Sequence, residues 1–275
     1  MVRVMVRTGT SVPADTSLRK QVYDSLRVAL TAGRFVPGEK LTFRTIAGAL
    51  GVSLTPVREA LRRLVAEGAF EMQPSRSVRV PLMTRAKALE LRDIRTALEG
   101  LAAAKAAEVA TKAQVAELRR IAREILAHRR RGDEVGDREN VRAFHFAVYA
   151  LSGQPTLLRV IEGLWLQTGP YMNLLYPEFI ASAGGPARRL RVIEALAAGD
   201  SVAARREIEN DVHKTLTYVA DLADATGNIV PLGAPAVSAS RSKNKAKGSS
   251  KTKAASKALG LRLKTSRLKA SQSSK

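Results

Sequence analysis

Gly51-Val52-Ser53-Leu54-Thr55-Pro56-Val57-Arg58-Glu59-Ala60-Leu61-Arg62-Arg63-Leu64-Val65-Ala66-Glu67-Gly68 is the stretch on which the fold turns. A helix stops at Gly51, a tight turn follows, and a new helix opens with small polar groups and one arginine. Val57, Leu61, Leu64 and Val65 fall on one stripe at the i, i+4, i+7, i+8 spacing of a buried face. The first turn of that helix is left to meet something outside the protein. A helix-turn-helix presents its second helix to a DNA major groove in this way.

The flanks agree. Thr16 or Ser17 is expected to cap a first helix in which Val22, Leu26, Ala29 and Leu30 form an apolar stripe and which Gly33 ends. Pro37-Gly38-Glu39 reads as a turn. Thr42 caps a short second helix with Ile46, Ala47 and Leu50 facing the core. Pro56 falls in the first turn of the third helix, where its missing N–H costs nothing. Phe70-Glu71-Met72-Gln73 and Val78-Arg79-Val80 read as two short strands around Pro74-Ser75-Arg76-Ser77, a hairpin wing with an arginine near its tip. The N-terminal part is therefore expected to be a winged helix-turn-helix.

At these residues the chain resembles the GntR family of bacterial transcriptional regulators. Arg34-Phe35-Val36-Pro37-Gly38-Glu39-Lys40-Leu41 and the Gly51 to Leu61 stretch carry the resemblance. It implies that Arg44, Ser53, Thr55 and Arg58 contact operator DNA, with the wing and its Arg76 entering the neighbouring minor groove. Leu54 stands where the family usually has arginine, and Ser77 where the wing usually has glycine. On chemistry alone, Arg58 can bond a guanine edge bidentately or clamp a phosphate, and Ser53 and Thr55 can bond phosphates or bases at the helix start. The plain alternative is that Arg58 solvates a helix, Ser53 is only a cap and Arg76 decorates a loop.

Charge is unevenly divided along the 275 residues, whose formal net charge is +21. Residues 1–83 hold 13 Lys and Arg against 6 Asp and Glu, residues 84–237 hold 21 against 19, and residues 238–275 hold 12 against none. Basic excess thus sits at the two ends, which points to nucleic acid more than to membrane. No apolar run is long enough for a membrane span, and residues 1–17 lack the pattern of a secretion signal. Without cysteine there are no disulfides or thiolate metal sites. These features set the expectation of a cytoplasmic, nucleoid-associated chain.

From Thr84 onward the pattern is helix after helix. Thr84 opens a long one through Leu91, Ile94, Leu98 and Leu101. Thr111-Lys112-Ala113-Gln114 is a capping box for the next. Asp137 is expected to cap a third helix, Pro155 opens a fourth that breaks near Gly169-Pro170 before Tyr171 to Tyr176, and two more run from about Pro186 and from Ser201 to about Ala225. With no strand signal, this reads as an all-α bundle of about six or seven helices. The expected organisation is a flexible start over 1–16, a winged helix-turn-helix over 17–82, the bundle over 84–226 and a disordered basic tail over 238–275.

The bundle resembles the FCD effector domain of the FadR subfamily of the same family. Leu91 to Gly100, Phe144 to Gly153 and Glu194 to Asp200 carry that resemblance. It implies an effector-binding and dimerisation domain, in which relatives commonly hold a divalent metal through an Asp one turn before a His and two further His. Here only His145 is kept. Val141 stands at the Asp position, Arg189 at the second His and Asp211 at the third, while Asn140 and His213 lie off the expected face. One imidazole, one carboxylate and an arginine make a poor cation site, so no metal cofactor is expected.

Arg189 and Arg95 projecting inward could instead hold a carboxylate directly. The expected ligand set is Arg95, His145, Arg189 and Asp211, and the expected effector is a small carboxylic or sugar acid. The plain alternative makes His145 a core histidine and leaves both arginines exposed. Trp165, Tyr171 and Tyr176 are candidate pocket walls or simply core. No phosphate loop, nucleophile elbow or catalytic carboxylate pair appears, so an enzyme is not expected. The sequence reading is a homodimeric regulator, a repressor by expectation, on a palindromic double-stranded operator. The alternative is an architectural, largely sequence-independent DNA binder driven by the basic tail.

Overall fold

The computed structural model describes residues 14–175, 179–180 and 185–230. The basic tail over 238–275, the first 13 residues and Tyr176 lie outside the described residues.

Three helices and a small sheet form the N-terminal part. They are α1 (Ala14–Thr31), α2 (Phe43–Leu50) and α3 (Leu54–Ala66), with β1 (Lys40–Thr42), β2 (Glu71–Gln73) and β3 (Ser77–Arg79). The strands lie in the order β1-β3-β2, all antiparallel, with Leu41 opposite Val78 and Met72 opposite Val78. Thr16 and Ser17 do not cap α1. The helix already runs from Ala14, a residue that costs nothing in a helix interior. Thr42 does cap α2, its hydroxyl accepting the Thr45 N–H, and Gly51 ends that helix with φ 68°. A left-handed stop of this kind favours glycine because it has no Cβ to clash. Strand β1 left no mark on the sequence pattern, since three residues are too few to show alternation. Val22, Leu26, Phe35, Ile46, Val57, Leu61, Leu64 and Phe70 are buried in one core with Val78, and Leu166 from the helical part belongs to the same cluster.

The helical part comprises α4 (Arg85–Val109), α5 (Lys112–Arg130), α6 (Glu134–Leu151), α7 (Pro155–Thr168), a 3₁₀ turn (Gly169–Leu175), α8 (Gly185–Ala198) and α9 (Ser201–Asp221). Thr84 caps α4, Thr111 and Gln114 form the capping box of α5, and Asp200 caps α9. Asp137 is not a cap. Asp133 takes that role, accepting the Gly136 N–H at 3.0 Å, while Asp137 lies buried inside α6, held by Arg129. Both residues have the chemistry of a cap, and Gly132 ends the preceding turn early enough for the first to claim it. α9 stops at Asp221 rather than Ala225, because Asp224 folds a turn that leads into β5 (Asn228–Ile229). That strand pairs with β4 (Met83–Thr84), so the connection between the two parts is strapped by the segment after the last helix. The expectation of no strand in this half fails at those four residues.

The α4 helix packs along α9 at the bundle centre. Among the described residues no helix is long and apolar enough to cross a membrane.

Candidate functional site

Two groups of side chains stand out, one on the surface of the N-terminal part and one inside the bundle. On the surface, Ser53 occupies the N-cap position of α3 but its hydroxyl makes no cap bond, which removes the reading of Ser53 as a plain cap. Thr55 and Arg58 are exposed on the same first turn, and Arg44 is exposed on α2. The Arg76 carbonyl accepts the Phe43 N–H at 3.1 Å, so the wing tip is held at the start of α2, beside Arg44. Neighbouring arginines are committed elsewhere: Arg62 to Glu59, Arg63 to Glu67 and Arg79 to Glu71. Among the described residues none of Arg44, Arg58 and Arg76 has an ion-pair partner. The wing reaches its tip through Ser75 and Arg76 at φ 64° and 52°. Ser77, where glycine is usual, is buried and donates its hydroxyl to Pro74 O at 2.7 Å. Leu54 packs half-buried against the core instead of offering a polar contact.

Inside the bundle, a cavity of about 60 Å³ is walled by Trp165, Met172, Leu175 and Val212 on its apolar sides and by His145, Arg188, Arg189 and Asp211 at one end. Arg95, His145 and Arg189 are all buried, so the reading that left the arginines exposed does not hold. Arg95, however, is not free to meet a ligand. Its Nε donates to Glu99 Oε1 at 2.5 Å, its Nη1 to Thr168 Oγ1 at 2.7 Å, and its guanidinium lies over the Trp165 ring. Glu99 is completely buried and also accepts from Trp165 Nε1 at 3.0 Å and from the Tyr149 hydroxyl. Burial and the Glu99 charge push the Tyr149 phenol well above its ordinary range, so it stays a donor. Nothing in the sequence motif announced Glu99, Tyr149 or Thr168, although the i, i+4 spacing of Arg95 and Glu99 was visible.

His145 has both ring nitrogens engaged, Nδ1 with the Tyr149 hydroxyl at 2.9 Å and Nε2 with Asp211 at 3.2 Å. Arg188 sits 2.9 Å from the other Asp211 oxygen. Burial alone would raise the Asp211 carboxyl. His145, Arg188 and Arg189 outweigh it and hold that group well below the usual carboxylate range. Arg129 is paired with Asp137 at 3.0 Å. Arg188, despite lying beside Asp211, and Arg189, which has no ion-pair partner among the described residues, each leave Nε and Nη1 without a hydrogen-bond partner there. Burial pushes the Arg189 guanidinium downward, against the pull of Asp211 and with the repulsion of Arg129 and Arg188. Among the described residues the charge at this end does not balance: Arg129, Arg188 and Arg189 stand against Asp211 and Asp137, with Arg129 and Asp137 paired to each other.

These residues do not fit a divalent metal. The imidazole offers no free nitrogen, one carboxylate remains, and two guanidinium groups stand beside it; among the described residues no group of three metal-binding side chains occurs. Asn140 bonds its own helix at Gly136 O, and His213 is exposed, so neither supplements the set. Val141 does line the cavity, at the position read from sequence. Of the aromatic candidates among the described residues, Trp165 walls it and Tyr171 does not. The Tyr171 hydroxyl faces the inter-part connection, accepting the Met83 N–H at 2.5 Å and donating to Pro81 O at 3.0 Å.

The bundle packs directly on the N-terminal part. Arg142 Nε donates to Thr31 Oγ1 at 2.6 Å, Arg27 pairs with Glu162 at 2.8 Å, Arg34 pairs with Glu139, and Asn173 Nδ2 donates to Phe35 O at 3.3 Å. Gly169 lies directly on the end of α1. A Cβ there would sit 2.7 Å from the Thr31 Cα and closer still to the Leu30 carbonyl.

Comparison with known proteins follows the same division. The model for bacterial regulatory proteins of the gntR family matches residues 18–80, and that for the FCD domain matches residues 90–213. The chain is 37% identical over 172 residues to the HTH-type transcriptional regulator McbR of Escherichia coli (strain K12), covering 61% of this chain and 76% of that protein. It is 29% identical over 218 residues to a probable D-xylose utilization operon transcriptional repressor of Paenarthrobacter nicotinovorans, covering 78% and 92%. The solved structure of E. coli McbR/YncC superposes with a TM-score of 0.69 at 30% identity, over 74% of this chain and 97% of that one.

Proposed function

The chain belongs to the GntR family of bacterial regulatory proteins and carries an FCD domain, a DNA-binding transcriptional regulator rather than an enzyme, and from that premise we propose that a small organic acid in the bundle controls its affinity for a palindromic operator. The observation that carries this reading is Arg189, a buried guanidinium with two unsatisfied nitrogens in a cavity whose charge is left positive. A buried cation whose donors are not all met is costly, and a carboxylate from outside supplies both the charge and a forked acceptor. Arg188, already beside Asp211, and His145 complete the anion-facing wall; Arg95 orders it through Glu99 and Trp165.

On the DNA side, Arg58, Ser53 and Thr55 are proposed to read the major groove, with Arg44 on the backbone and Arg76 in the minor groove. One recognition helix reads a half-site of a few base pairs, so two copies on a palindrome are the natural assembly. α1 packs tightly on Gly169, so a shift in the bundle would be passed to the N-terminal part. Acid binding would then change the placement of two recognition helices, and repression relieved by the acid is the proposed outcome.

The test is a fluorescence-anisotropy titration of the protein against the DNA upstream of its own coding sequence, with and without a panel of carboxylic and sugar acids. Saturable binding relieved by one acid is expected. Arg58→Ala should lose about 1–3 kcal/mol of discrimination between specific and random DNA. Arg189→Gln should keep DNA binding and abolish the acid response. Acid relief that persists in Arg189→Gln removes the cavity from the mechanism.

A further inference from the structure

The bundle cavity is small for a metabolite. Its volume of about 60 Å³ is well under the roughly 150 Å³ in which a benzene-sized guest is held. A carboxylate with a carbon or two fits without rearrangement, so a larger acid needs a wall that yields. A second cavity of about 50 Å³ lies at the junction with the N-terminal part, where Thr31 and Ala32 at the end of α1 form one side. The two cavities share Val141, Trp165, Met172, Leu175 and Ile180. Side chains, not a helix, are what separates them. Met172 is the softest of these, because an unbranched thioether reaches alternative rotamers at little cost.

The junction cavity is apolar in character. Two arginines reach its edge, Arg142 bonded to Thr31 at 2.6 Å and Arg138 beside Glu134 at 3.5 Å, and the surface turned to the cavity is almost all hydrocarbon. A run of hydroxyls placed there would give up more contacts with water than two edge guanidinium groups can replace. Charge at one end, hydrocarbon along the length and the first helix of the DNA-binding part at the far end describe a ligand.

We propose that the effector is a carboxylic acid with an apolar body, its carboxylate on Arg189 and Arg188, its body displacing Met172, and its far end against Ala32. This rests on the reading that the bundle cavity takes an anion. It goes further in making the DNA-binding part a wall of the ligand site. Filling the junction presses on Ala32 a few ångströms from the place where Gly169 and α1 have no room to spare, so occupancy is felt directly at the docking of the two parts. Polyhydroxylated sugar acids are disfavoured by the same wall.

Trp165, the single tryptophan of the chain, lines both cavities, and its emission follows their occupancy. The full-length protein is titrated with acetate, hexanoate and gluconate, with operator-length upstream DNA binding measured in parallel. Hexanoate should bind at least tenfold more tightly than acetate or gluconate and should weaken DNA binding. Ala32→Leu, which fills the junction from the α1 side, should cost hexanoate tenfold and leave acetate unchanged. Met172→Ala, which opens the passage without crowding α1, should tighten hexanoate severalfold and covers the case in which Ala32→Leu disturbs docking. Gluconate binding as well as hexanoate, or neither substitution separating hexanoate from acetate, overturns the proposal. If no acid moves Trp165 emission, or the response survives Arg189→Gln, the underlying anion site fails and this extension falls with it.

Discussion

Among the described residues neither Arg58 nor Arg189 has an ion-pair partner, yet burial gives them opposite chemistry. Arg58 is exposed and hydrated, so its lack of a partner costs nothing until DNA arrives. Arg189 is buried and has given up its water, so its unmet donors are a standing demand for an anion. Asp211 is what keeps that demand tolerable, since it is the carboxylate that faces Arg188, Arg189 and His145 together. Its carboxyl is held below the ordinary range, so it is more readily ionised in the folded chain than in the unfolded one. The stability it contributes is therefore present above about pH 4, the unfolded value, and is lost as pH falls below that. Asp211→Asn should destabilise the protein by about 3 kcal/mol at pH 7, the scale of leaving a buried charge uncompensated. Thermal unfolding should show the gap to the parent closing as pH drops below about 4. A gap independent of pH would mean that Asp211 acts by packing alone. At this scale the sequence was half legible. His145, Arg189 and Asp211 came from a motif position by position, whereas Glu99 meets Tyr149 and Thr168 meets Arg95 across 50 and 73 residues, which no local spacing reveals; only the Arg95–Glu99 pair is local.

Elements were legible where their ends carry their own chemistry. Thr84, Thr111 with Gln114, Gly51 and Asp200 each state a helix end in one or two residues, and each does so in the structure. The failures came where local chemistry was duplicated or absent. Asp133 and Asp137 are equivalent caps on paper, and the β4–β5 pairing joins residues some 145 apart in the chain. The 3₁₀ turn Gly169–Leu175 shows what such long-range contacts do. It supplies Met172 and Leu175 to the cavity, Tyr171 to the connection, Asn173 to Phe35 and Gly169 to α1. Its role rests on Gly169 having no side chain, because backbone rather than a movable side-chain tip faces it. Gly169→Ala should therefore separate α1 from the turn and cost about 1–3 kcal/mol of stability, in the range of overpacking. The two parts should still bind their partners, but DNA affinity should no longer respond to acid. Proteolysis at the Pro81–Met83 connection, released from Tyr171, should accelerate in the same variant. An acid response of normal size in Gly169→Ala would show that coupling runs elsewhere.

For the whole molecule, the division of charge sets how the protein finds DNA. The bundle is close to neutral, while residues 1–83 and 238–275 carry the excess. Exposed arginines at the proposed reading face would confer base discrimination; the 12 cations of 238–275, with no acid among them, would contribute through phosphate, which carries no sequence information. The two contributions separate in a salt titration. Each phosphate neutralised adds about 0.9 to the slope of log affinity against log salt. If half of the tail charges meet phosphate, removing residues 238–275 should lower the slope by about 5 per chain. Affinity for random and for specific DNA should fall together, leaving their ratio intact. Arg58→Ala should do the reverse, changing the slope by about 1 while collapsing the ratio. A truncated protein that keeps its specificity ratio and its acid response is a ligand-gated regulator whose tail sets the speed and salt range of the search. One that loses specific binding along with the tail would instead be held to DNA by charge alone, and the reading face of α3 would then have no part in choosing the site.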